Sequence, residues 1–142
     1  MSYSLSYSKA ILVVIFISDK IQQGMYEFLS TQMISEVLSI PKPTLVKILQ
    51  ELTRAGIIET KEGKNGGIRL LKAPKDITLL EIFDAIEQGK PLFQTSFNIM
   101  AEGKRPDRAV KKVTYLLTNA EDQMKKSLAT KTIQQILNEM SS

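Results

Sequence analysis

The chain has 142 residues, 43% apolar and 24% charged, which suits one compact unit with a real core and argues against a disordered chain. It contains no Cys and no His, which excludes disulfides, thiolate or imidazole metal sites, cysteine nucleophiles and Ser-His-Asp triads. The net charge is +4, and the surplus lies wholly in residues 41–75, where Lys42, Lys47, Arg54, Lys61, Lys64, Arg69, Lys72 and Lys75 face only Glu51, Glu59 and Glu62. A surplus concentrated in this way is the footprint of a phosphate-facing surface.

Residues 3–20 read as a helix that is apolar nearly all round between Ala10 and Ile17, and therefore deeply buried. That run is far short of the roughly 20 residues needed to span a bilayer, and no small-residue cleavage site follows it, so a soluble, cytoplasmic protein with no membrane partner is expected. Gln22-Gln-Gly24 breaks the helix, and Met25–Leu29 leads to the next element. Ser30 or Thr31 can cap a short second helix that carries Met33, Ile34, Val37 and Leu38. Pro41 and Pro43 suit the first turn of a third helix, where a missing N–H costs nothing, and Gly56 supplies its stop.

Residues 57–61 and 68–72 are β-favouring runs separated by Glu62-Gly-Lys-Asn-Gly-Gly67, which reads as a hairpin with a flexible tip. Thr78-Leu-Leu-Glu81 has the form of a capping box, opening a fourth helix with Leu79, Ile82, Phe83 and Ile86 on its apolar face and a stop at Gly89. Residues 90–105 lack periodicity and read as a loop or an irregular short helix. From Pro106 onward helix formers dominate, and Val110, Val113, Leu117, Ala120 and Met124 form a heptad-like seam, with Ile133, Ile136, Leu137 and Met140 in a short final helix.

A short helix, a tight turn, a longer helix and a glycine-tipped hairpin follow one another in the order of a winged helix-turn-helix. The expected fold is mostly α with one small β-hairpin, divided into a DNA-binding domain at 1–89, a loop at 90–105 and C-terminal dimerisation helices at 106–142. On the third helix, Leu45, Ile48, Leu49 and Leu52 share an inward face, and Pro43, Lys47, Gln50 and Arg54 lie opposite. That stripe combines base-edge donors with cations, as a helix in the major groove requires; Thr44 and Val46 border it and can meet a thymine methyl. The candidate DNA contacts are Thr31, Lys42, Pro43, Thr44, Lys47, Gln50 and Arg54, with Lys61, Lys64, Asn65, Gly66, Gly67 and Arg69 from the hairpin. The alternative is a winged-helix interaction module whose same face binds an acidic protein partner. No catalytic constellation is present, and Asp84 with Glu87 reads as a surface charge pair, so an enzyme is not expected.

The stretches Ser35–Pro41, Leu45–Gly56, Gly63–Leu70, Ala73-Pro74 and Ile77–Ile82 resemble the Rrf2 family of bacterial winged-helix regulators, and the resemblance continues to Leu128–Leu137. It implies a homodimer, packed along the long C-terminal helix, that binds double-stranded DNA at an inverted repeat with half-sites roughly 10 bp or a multiple apart. Occupying an operator needs no activation surface, so a repressor is the expected sign. Two departures stand out. Many members carry three cysteines between the fourth and the long helix, where they hold an iron–sulfur cluster; here that region, 92–103, has none, so no cofactor is expected. Relatives often place arginine before the first wing glycine, where this chain has Glu62. Phe93, Phe97, Ile99 and Met100 either line a pocket for a small-molecule effector or fill the dimer core.

Overall fold

The computed structural model describes residues 5–141, in the order α1 (Leu5–Gln22), α2 (Thr31–Leu38), α3 (Lys42–Arg54), β1 (Ile58–Lys61), β2 (Gly67–Leu70), a 3-10 turn (Pro74–Asp76), α4 (Leu79–Glu87), α5 (Lys104–Ala129) and α6 (Ile133–Met140). The expected mostly helical architecture with one hairpin is what forms. Residues 3 and 4 of the expected first helix lie outside the described residues.

Helix α1 is the pillar of the core. Its Ala10, Val13, Val14 and Ile17 are fully buried, and it touches α2, α3, α4, α6 and β2. Around it close Ile34 of α2, Leu45, Ile48 and Leu52 of α3, Ile68 of β2 and Ile82 of α4. The apolar run Ala10–Ile17 is thus largely buried, as expected, but not on every side: Leu12, in its middle, is exposed.

The hairpin is antiparallel, with Ile58 opposite Leu70, Glu59 opposite Arg69, Thr60 opposite Ile68 and Lys61 opposite Gly67. The segment before α2 adds to it. Leu29 exchanges both backbone hydrogen bonds with Ile68, at 2.9 and 2.7 Å, and so forms a one-residue third strand.

Helix α6 belongs to this same core rather than to a separate C-terminal unit. Ile133 and Leu137 are buried with the α1 cluster, and Thr132 bridges to Thr78 at the start of α4. The expected capping box at Thr78 forms by half: Thr78 accepts from the Glu81 N–H, but the Glu81 carboxylate turns to Lys72. The reciprocal box sits on α6, between Thr132 and Gln135.

One polar clasp ties the start of α1 to α4. The Tyr7 hydroxyl donates to the Leu79 carbonyl at 2.9 Å, and its ring meets Phe83 edge-on at 5.2 Å. Burial, helped by the negative charge of Asp84, pushes the Tyr7 phenol up to about 12 from its ordinary 10.0. A folded-state value above the unfolded one means that the native state holds the proton more tightly. The stabilisation is therefore complete below pH 10 and is lost as pH rises towards about 12. In chemical denaturation at a series of alkaline pH values, Tyr7→Phe should be less stable than the parent near neutrality. Its deficit should shrink across this alkaline window, because the variant has no phenol to ionise.

Candidate nucleic-acid interface

Pro41 occupies the N-cap of α3 and Pro43 its first turn, and Gly56 turns the chain out of the helix with φ 76°. Between them Leu45, Ile48, Leu49 and Leu52 are buried, which fixes the rotation of the helix about its axis. Lys42, Pro43, Val46, Lys47, Gln50, Thr53 and Arg54 are consequently exposed, so the whole expected stripe faces outward, and Thr44 at its border is half-buried.

Gln50 stands on a crest between two grooves. On the hairpin side a groove of about 620 Å³ runs between α3 and the sheet, bordered by Thr31, Thr53, Arg54 and Thr60 over an apolar floor that includes Ile68. On the other side a cleft of about 570 Å³ lies between α3 and the ends of α1 and α4, where Lys47, Arg54 and Lys90 meet Glu51 and Glu87. A projecting helix with a depression on each side is the shape that enters a major groove while the two sugar–phosphate strands pass beside it. Hydroxyls and a guanidinium make the hairpin-side groove the better suited to phosphate, since the other contains carboxylates. Thr31 adds its position in the first turn of α2, whose N-terminus favours anions. Thr53 and Thr60, neither among the sequence candidates, line the same groove; Thr53 follows Gln50 by three residues, which puts both on one helix face, and its hydroxyl donates to the Leu49 carbonyl at 2.7 Å.

The hairpin presents its cations unevenly. Lys64 and Asn65 are exposed at the tip, beside Glu62. Arg69 is ion-paired with Glu59 across the strands, and Lys61 and Arg69 both lie against the Phe28 ring, with Lys61 Nζ 5.6 Å and Arg69 Cζ 4.8 Å from its centroid. The two glycines of the tip are required by packing. A Cβ on Gly66 would lie 2.0 Å from the Lys61 carbonyl oxygen, and one on Gly67, at φ 141°, would lie 2.6 Å from that of Leu29.

Helix α5 packs on α4 and supports the α4–α5 connection, with Glu121 accepting from the Leu92 N–H. Of the expected seam, Val110, Leu117 and Met124 are half-buried within the protomer, while Val113 and Ala120 are exposed. Leu116 is also exposed, so an outward stripe runs through Ala109, Val113, Leu116 and Ala120. Phe93, Phe97, Ile99 and Met100 are exposed as well, Met100 at 95%.

The model of a family described as Rrf2, iron-dependent transcriptional regulator, matches residues 2–139. The chain is similar to the HTH-type transcriptional regulator NsrR of Bacillus licheniformis, 40% identical over 70 residues that make up 49% of this chain and 47% of that one. The chain spans about half or less of the length of the curated relatives it matches. Among solved structures it resembles the global cysteine regulator CymR of Bacillus subtilis, with a TM-score of 0.67 at 17% identity over 98% of both chains. It also resembles the IscR of T. potens, with a TM-score of 0.67 at 16% identity over 99% of this chain and 88% of that one.

Proposed function

The chain belongs to the Rrf2 family, and from that premise we propose that it is a sequence-specific DNA-binding transcriptional regulator, acting as a homodimer on an inverted-repeat operator. The observation that carries this reading is the exposed ridge of α3, on which Lys47, Gln50 and Arg54 stand together between two grooves. Lys47 and Gln50 read base edges, and Arg54, with Thr31 and Thr60, holds phosphate. The second copy docks along α5, where Val113 and Leu116 are 42% and 50% exposed, and Phe97, Ile99 and Met100 join the same dimer contact rather than an effector pocket. Repression follows from operator occupancy alone.

The family's description as iron-dependent does not fit this chain's donor set. A cluster held by thiolates or imidazoles needs Cys or His, and the sequence has neither. We therefore assign no iron–sulfur cluster to it. Among the described residues no helix is long and apolar enough to cross a membrane.

The test is to incubate the purified protein with sheared genomic DNA of its source at near-physiological salt and to sequence what is retained. The expected result is enrichment of a few promoter fragments that share an inverted repeat. Retention without sequence preference, combined with salt-sensitive capture of an acidic protein, would overturn the reading in favour of a protein-binding module.

A further inference from the structure

Phe28 sets one aromatic ring against two of the wing cations, and its placement follows from the backbone. Leu29 pairs with Ile68 and both point into the core, so Phe28 falls on the opposite face, beside Gly67 and Arg69. Lys61 and Glu59, cross-strand partners of Gly67 and Arg69, share that face. Glycine at 67 leaves room for Phe28: a Cβ there would approach Phe28 Cβ to 3.1 Å. An aromatic ring set against a sheet glycine also pins strand register.

We propose that Phe28 is a positioning residue of the DNA interface, its ring holding Lys61 and Arg69 side by side so that the wing meets the phosphate backbone with two ordered cations. This rests on the DNA-binding reading above. A guanidinium lying against a ring still has N–H donors to offer, here to Glu59 and to a phosphate oxygen. The ring attracts both cations without adding negative charge; Glu59 already pairs with Arg69, so a carboxylate at position 28 would cancel the positive charge left on this face. Two long side chains already ordered lose less entropy when DNA arrives.

The test measures binding of a mixed-sequence DNA duplex over a range of salt concentrations. Wild type should bind tightly at low salt with a steep salt dependence. Phe28→Leu should weaken binding by roughly 5- to 25-fold, the fold-change that two exposed cation–π contacts supply. It should also flatten the log–log salt slope by about one to two, one for each phosphate that the wing no longer grips. Phe28→Tyr, which keeps a ring, should bind as wild type does. In a Lys61→Gln/Arg69→Gln background, Phe28→Leu should cost nothing further, a coupling that a merely structural role would not show. An unchanged slope in folded Phe28→Leu, or an equal loss in both backgrounds, would overturn the proposal; if the leucine variant does not fold, Phe28→Met answers the same question. Absence of duplex binding by wild type would instead sink the DNA reading itself, so the two failures are distinguishable.

Discussion

Replacing Lys47, Gln50 and Arg54 together by alanine should abolish operator selection while leaving the fold intact. All three side chains are exposed on α3, the three pointing away from Leu45, Ile48 and Leu52. Alanine is the best helix former, and exposed changes of this kind typically alter stability by about 0.5 kcal/mol or less each. Binding is another matter. A base-reading contact contributes about 1–3 kcal/mol, so Lys47→Ala alone should cost up to roughly 100-fold on its best site. Neighbours on one ridge are not additive, yet the triple variant should fall to the level of non-specific binding, typically at least ~10³-fold weaker than specific binding. Thermal melting and titration of an operator fragment check the two halves separately. A triple variant that melts as wild type does and still binds the operator with full affinity would remove the α3 ridge from the interface.

Why that ridge was legible in the sequence, and other parts were not, comes down to the range of the interactions. Helix α3 is bounded by Pro41 and Gly56, and its buried face recurs at helical spacing, so local chemistry alone sets both its limits and its rotation. The hairpin likewise follows from three glycines between two β-favouring runs. Phe28 had no such signal. It is one aromatic in an irregular segment, and its role depends on the pairing of Leu29 with Ile68, 39 positions later. The same holds for α6, which returns to bury Ile133 and Leu137 in the core and brings Thr132 against Thr78, a distant partner in the sequence. Gly66 and Gly67 stand among the candidate DNA contacts in the sequence, but the close approach of Lys61 and Leu29 requires glycine at both positions without any ligand.

Helix α5 shows the same limit in another form, and the last prediction turns on it. Over 26 residues it carries apolar side chains on two adjacent faces, and periodicity cannot say which one its own protomer takes. In the folded protomer α5 packs on α4, Val110, Leu117 and Met124 are half-buried, and Val113 and Leu116 are exposed. A charge at Leu117 would therefore disturb the protomer and the dimer together. Val113→Glu separates them, because that site is 42% exposed in the single chain and glutamate there leaves the core untouched. In the proposed dimer the same carboxylate would be pressed into an apolar seam, a cost of several kcal/mol for each copy. The variant should sediment as a folded monomer. The two half-sites would then be held by two independent α3 ridges instead of two linked ones, and operator affinity should fall by roughly 10²- to 10⁴-fold. Binding to an isolated half-site should stay as it was, since no DNA-facing residue has changed. A Val113→Glu protein that remains dimeric would move the dimer contact off this face of α5, and a monomer that keeps full operator affinity would show that the two ridges do not act as a linked pair.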